Sequence, residues 1–119
     1  MTAQRSNSRE EELLQASAEL REKLRNNTTW FRSAMTNAGF NILPGEHPII
    51  PVMIGDAALA TKMSNELLSR GIYVVGFSFP VVPRDQARIR TQMSAAHSLE
   101  QIDTAVDAFI KIGKELGVI

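Results

Sequence analysis

Apolar residues recur along the first third of the chain at a helical period. Leu13, Leu20, Leu24, Phe31 and Met35 follow one another at intervals of seven, four, seven and four, which keeps them on one stripe of a helix. Glu10, Glu11 and Glu12 lie in its first turn, where acidic groups favour the positive end of the macrodipole, and Gly39 can close it. Asn26, Asn27, Thr28 and Thr29 are weak helix formers inside this stretch, so the pattern predicts a kink or break there. Residues 1–9 are polar and have nothing to bury; they read as a disordered tail, and residues 10–119 as one domain.

Beyond Gly39 the period shortens. Phe40 to Leu43 is a short extended piece leading to a Pro44-Gly45 turn. Ile49 to Ile54 reads as a strand, with Ile50, Val52 and Ile54 on one face. Pro51 cannot donate to a ladder, which predicts an edge strand or an outward position for the proline. Asp56 is a candidate N-cap for a helix burying Leu59, Met63 and Leu67 and stopped by Gly71. Ile72 to Phe77 is β-branched and aromatic, a second strand. After a loop from Ser78 to Gln86 carrying Pro80 and Pro83, residues 87–93 alternate: Ala87, Ile89, Thr91 and Met93 point one way, Arg88, Arg90 and Gln92 the other. Ser98 and Gln101 form a capping-box signature for a last helix that buries Ile102, Val106, Phe109, Ile112 or Gly113, and Leu116.

The order α-β-α-β-β-α predicts an α+β domain. A small three-stranded, mainly antiparallel sheet is covered on one face by helices, with the third strand between the first two and a long N-terminal helix alongside. A strand-helix-strand unit crosses over right-handedly, and three strands under a helical layer can hold a core.

Composition narrows the chemistry. Thirteen Lys+Arg balance thirteen Asp+Glu, so no global field recruits nucleic acid or an anionic membrane. Cysteine is absent, which removes disulfides, thiolate metal sites and thiol nucleophiles. No apolar run approaches the roughly 18 residues that span a bilayer, and no secretory leader is legible; an intracellular domain is the expectation.

Candidate chemistry concentrates on the third strand. Arg88 and Arg90 share the face turned away from the helices, about 7 Å apart along the strand. Two guanidiniums there are either an anion clamp, since the planar fork of arginine matches a carboxylate or phosphate, or two solvated side chains. His47 and His97 have no partner at metal-ligand spacing and read as structural. Ser94 has no nearby base and is no credible nucleophile. Lys23, Lys62, Lys111 and Lys114 sit on predicted helices as solvated groups, and no phosphate-binding glycine motif occurs. These residues do not make a self-contained active site.

Three runs carry a resemblance: Gly71-Ile72-Tyr73-Val74-Val75-Gly76-Phe77, then Pro80-Val81-Val82-Pro83, then Ala87-Arg88-Ile89-Arg90-Thr91-Gln92-Met93-Ser94-Ala95-Ala96-His97. With the segment from His47 to Asp56 and the closing Ala108 to Gly113, they resemble the C-terminal domain of the glycine C-acetyltransferases, from about Glu19 to Ile119. These belong to the α-oxoamine synthases, pyridoxal-phosphate enzymes of fold type I. The run Thr91 to His97 separates them from aminolevulinate synthase, oxononanoate synthase and serine palmitoyltransferase, and the same domain from one of those relatives is the alternative within the family.

The resemblance implies a fold, the small domain of fold type I, and an activity, condensation of glycine with acetyl-CoA to 2-amino-3-oxobutyrate and CoA in threonine breakdown. It implies pyridoxal phosphate as cofactor of the full-length enzyme, none of it held by this chain, because the family's Schiff-base lysine and phosphate site lie in a large domain that would precede residue 10. It implies a homodimer, in the cytoplasm or, in a eukaryote, the mitochondrial matrix. It places the family's substrate-carboxylate arginine on Arg90, with Arg88 in a supporting role, and the Phe77-to-Pro83 loop at the mouth of the active site. Asp85 stands where relatives commonly have Gly; Asp tolerates left-handed geometry, but its charge alters the loop that would meet acyl-CoA. On this reading the chain recognises substrate and is inactive alone. Two readings from other classes stand beside it: a non-catalytic small-molecule-binding module, and an interaction module acting through the Leu13-to-Met35 stripe.

Overall fold

The computed structural model describes the backbone of residues 2–119 and the side chains of residues 9–119. Helix α1 (Thr2–Ala38) is followed by β1 (Asn41–Ile42), β2 (Ile49–Gly55), α2 (Ala57–Ser69), β3 (Val75–Phe77), β4 (Ala87–Gln92) and α3 (Leu99–Leu116). The strands form one sheet in the order β1-β2-β4-β3, and every neighbouring pair is antiparallel. The α+β expectation and the central place of the third predicted strand hold.

The sheet has four strands, not three. The extended piece after Gly39 joins it as β1, with Asn41 opposite Met53 and Ile42 opposite Val52. That addition makes β2 an interior strand rather than an edge, and the other alternative holds: Pro51 faces outward, opposite Arg90, between the buried Ile50 and Val52. Pro51 is tolerated because a residue's N–H and C=O point to the same side of a strand. Its carbonyl accepts from the Leu43 N–H, so its missing donor also faces β1, where β1 has already ended. The second predicted strand is shorter than its apolar run. Ile72 is spent on closing α2, its N–H bonded to the Leu67 carbonyl beside the Gly71-to-Leu68 bond, a Schellman close with Gly71 at φ 81°.

The caps form as read. Asp56 accepts from the N–H groups of Ala58 and Leu59. Ser98 and Gln101 satisfy each other's backbone donors. Apolar side chains from the inner sheet face and all three helices make one core, including Phe31, Met35, Ile50, Val52, Ile89 and Ile112. Phe109 stands edge-on to both Phe31 and Phe40, with centroids 6.1 and 5.9 Å away. Gly113 admits Phe40 to this cluster: a Cβ there would lie 2.9 Å from the Phe40 ring tip.

Helix α1 departs from expectation twice. It does not break at residues 26–29. Asn27 is buried and donates to the carbonyls of Ser94 and His97, both at 2.9 Å, while the Thr28 hydroxyl donates to the Leu24 carbonyl. Weak helix formers here serve as an anchor. Nor is the whole apolar stripe buried. Phe31 and Met35 are in the core, but Leu13 and Leu20 are 64% and 58% exposed, because the helix outruns the sheet and the molecule is 65 Å long. The disordered-tail expectation falls on residues 1–9, of which residue 1 and the side chains of residues 2–8 lie outside the described residues.

Replacing Asn27 with Ala should strand two carbonyls and lower unfolding free energy by about 1–3 kcal/mol in denaturant titrations. Asn27→Asp, which cannot donate, should lose as much.

Candidate substrate-binding face

Strand β4 divides its side chains cleanly. Ala87, Ile89 and Thr91 are buried, Arg88 is half-buried and Arg90 is exposed. The registers name the neighbours of each arginine. Arg90 lies between Pro51 of β2 and Val75 of β3, and Arg88 between Met53 and Phe77. The sheet face opposite the helices is therefore mostly apolar, with two guanidiniums rising from its middle.

The two arginines differ in what holds them. Arg88 folds back on its own strand entry, with Nε 3.3 Å from the Gln86 carbonyl and a terminal nitrogen 3.5 Å from the Gln86 amide oxygen. The Arg90 guanidinium stands over the Phe77 ring, 5.4 Å from its centroid. Among the described residues the Arg90 guanidinium has no acidic partner and no hydrogen bond; the one ion pair there is Arg25–Glu22, an exposed i,i+3 contact on α1. Pro51 and Val75 carry no side-chain acceptor, so the fork of Arg90 has no partner among the described residues.

Two loops border this face. Asp85 takes φ 62°, the left-handed conformation that the turn demands. Its carbonyl lies 3.6 Å from where a Cβ of Gly55 would stand, at the bulge that shifts the β2–β4 register between Met53 and Gly55. Upstream, Phe79 and Val81 are exposed, and the Arg84 guanidinium stands 4.4 Å from the Phe79 centroid.

The remaining candidates are structural or solvated. His97 Nδ1 accepts from the Ser94 N–H, and His47 Nδ1 from the Ile49 N–H. The Ser94 hydroxyl accepts from the Ala96 N–H, and the neighbouring His97 imidazole bonds the Ser94 backbone N–H rather than that hydroxyl. All four lysines are exposed on helices. Among the described residues no group of three or more His, Asp or Glu could hold a metal, and no helix is long and apolar enough to cross a membrane. Pyridoxal phosphate does not fit the residues present. No lysine rises from the open sheet face; all four are on helices.

Sequence reasoning missed Asn27, Gln86 and Phe77 as parts of this arrangement. The first two act through hydrogen bonds that no periodicity announces. The third needs the β3–β4 register, which places Phe77 diagonally across from Arg90.

Fold and face together define a small α+β domain that offers one uncommitted guanidinium on an open, apolar sheet surface. The model of the aminotransferase class I and II family matches residues 2–109, and the chain belongs to that family. It is 59% identical over 108 residues to a 2-amino-3-ketobutyrate coenzyme A ligase of Salmonella typhimurium, an overlap of 91% of this chain and 27% of that protein. To the mitochondrial 2-amino-3-ketobutyrate coenzyme A ligase of Homo sapiens it is 49% identical, over 91% of this chain and 26% of that one. A solved structure of SPT with its PLP internal aldimine superposes with a TM-score of 0.82 at 30% identity, over 87% of this chain and 26% of the other. The chain thus spans about a quarter of the length of the relatives it matches.

What fixes the third side of the face is Gly76, between Val75 and Phe77. A Cβ there would stand 3.0 Å from the Ser64 hydroxyl of α2, so its absence lets β3 lie close on the helix. Gly76→Ala should destabilise the chain by about 1 kcal/mol, the low end of overpacking costs. In a Ser64→Ala background it should be neutral or better, giving a coupling above about 0.5 kcal/mol in a double-mutant cycle.

Proposed function

We propose that this chain is the small domain of a pyridoxal-phosphate-dependent glycine C-acetyltransferase of fold type I, the enzyme that joins glycine and acetyl-CoA to give 2-amino-3-oxobutyrate and CoA. The observation that carries this reading is the free guanidinium of Arg90 on the sheet face turned away from the helices. Identities of 59% and 49% to two 2-amino-3-ketobutyrate coenzyme A ligases support the choice of reaction.

Arg90 is the residue that holds the glycine carboxylate. Two parallel N–H···O bonds to a carboxylate fix its plane as well as its distance, and that orients the Cα–H bond for proton removal, a positioning contribution. Pro51 and Val75 flank the guanidinium with apolar surface, which keeps competing acceptors away and strengthens the pair. Arg88, engaged by Gln86, supports the strand end. Pyridoxal phosphate, held by the larger part of the enzyme, supplies the electron sink for the glycine carbanion.

The partners that follow are glycine, acetyl-CoA, a large domain covering the open face, and a second subunit in the homodimer that the resemblance implies. The compartment is the cytoplasm, or the mitochondrial matrix in a eukaryote; the name of the human relative carries the word mitochondrial.

The purified chain, mixed with pyridoxal phosphate, glycine and acetyl-CoA, should show no imine absorbance and release no CoA; turnover by the chain alone would end the reading. In the enzyme that contains this domain, Arg90→Ala should lower kcat/KM for glycine by about 10²–10³-fold. That is the cost of stripping one partner from a desolvated, hydrogen-bonded charge pair, roughly 2–5 kcal/mol. Arg90→Lys should recover only part of it, because an ammonium cannot reproduce the planar fork.

A further inference from the structure

The flexible side chain of an exposed arginine samples many rotamers, and a ligand that needs one of them must select it. Arg90 is exposed, yet its guanidinium has a fixed neighbour in the Phe77 ring, 5.4 Å from the centroid. That distance is within the range of about 6 Å over which a ring face attracts a cation. We propose that Phe77 is a positioning residue for Arg90: its ring binds one face of the guanidinium and leaves the edge of the fork, where the N–H groups point, open to a carboxylate. The inference rests on the reading of Arg90 as the carboxylate-binding residue and adds the group that prepares it.

Three features make Phe77 a rigid platform. It is half-buried, unlike the exposed Phe79 two residues on. It pairs directly with Arg88, two register positions from Arg90 and on the same face. The adjoining Gly76 packs against Ser64 of α2, which pins β3, and the ring with it, to the helical layer. The ring also takes water from one side of the cation without adding a hydrogen-bond acceptor. A stacked guanidinium keeps all its donors, whereas a carboxylate neighbour would occupy them. The loop pair Arg84–Phe79, at 4.4 Å, has the same chemistry on exposed side chains and serves as an internal control.

The test uses the full 119-residue chain and the side-chain N–H signals of its arginines. In the native chain the Arg90 Nε–H signal should be displaced by the ring current of Phe77. Phe77→Leu should return it to the value of a solvated arginine, while Phe79→Leu moves Arg84 and leaves Arg90 in place. Titration with acetate, followed at Arg90, should weaken about three- to tenfold in Phe77→Leu, the range of exposed to partly desolvated ring–cation pairs. Phe77→Tyr should hold native affinity. Because Phe77→Leu disturbs packing, a second form carries 3,4,5-trifluorophenylalanine at 77, which keeps the shape and depletes the ring face; it should weaken acetate binding in the same direction.

An unmoved Arg90 signal in Phe77→Leu, or unchanged acetate affinity in the fluorinated chain, would overturn the proposal. The parent reading fails separately: if Arg90→Ala leaves the glycine kcat/KM of the enzyme unchanged, Arg90 is not the carboxylate site, whatever the ring current shows.

Discussion

The alternation of β4 in an interior register is the constraint from which the rest follows. Ile89 and Thr91 point into the core while Arg88 and Arg90 point out, and β4 is hydrogen-bonded on both edges, to β2 and to β3. A slip of one residue would exchange the two faces. It would expose Ile89, whose burial contributes about 1.5–3 kcal/mol. It would also press unpaired guanidiniums into the apolar core that Ile89 shares with Phe109 and Met63, at several kcal/mol each. Against a folding stability of about 5–15 kcal/mol, such a slip is excluded, and Arg90 has only one side of the sheet on which to stand.

That register is locked at both ends of the strand. At its C-terminal end the buried Thr91 hydroxyl donates to the Ile50 carbonyl, its partner across the ladder, at 2.8 Å. One step on, the Met93 N–H reaches the Pro48 carbonyl, and Asn27 of α1 grips the turn that follows. At its N-terminal end the Gly55 bulge and the left-handed Asp85 bring the loop in beside β2. Helix α2 thus acts on the open face indirectly: it packs beneath β2, β3 and β4, and the other side of that sheet carries Arg88 and Arg90. On this face Pro51, Met53, Val75 and Phe77 make an apolar floor around the Arg90 guanidinium, which has no partner among the described residues. Once covered, its charge interactions gain strength from the lower dielectric.

Much of this was legible in the residues. The β4 alternation, both helix caps and the Gly71 stop follow from local chemistry, the left-handed turn at Asp85 from the family resemblance, and the structure reproduces them. Where expectation and structure part, a non-local bond is responsible. The two-residue β1 is too short to carry a periodicity and exists because Leu43 and its neighbours find β2. Pro51 marks an edge only if both flanks need its donor, and one flank ends before reaching it. Asn27 and Thr28 disfavour a helix by propensity, yet the carbonyls of Ser94 and His97, some seventy positions away in the chain, repay Asn27 for staying in one. Leu13 and Leu20 have core spacing but lie beyond the reach of any described element. Arg90 itself was readable as an outward cation, whereas its ring partner depended on a register that no single strand contains.

The central claim is that the Arg90 fork receives the acid group of an amino acid once the open face is closed by the rest of the enzyme. A crystal structure of that enzyme with glycine bound examines it most directly. The account predicts both carboxylate oxygens within hydrogen-bonding distance of the Arg90 guanidinium, about 2.7–2.9 Å, with the plane of the fork and the plane of the carboxylate aligned. A glycine carboxylate held by other residues, with Arg90 turned away or paired to an Asp or Glu of the large domain, would contradict it.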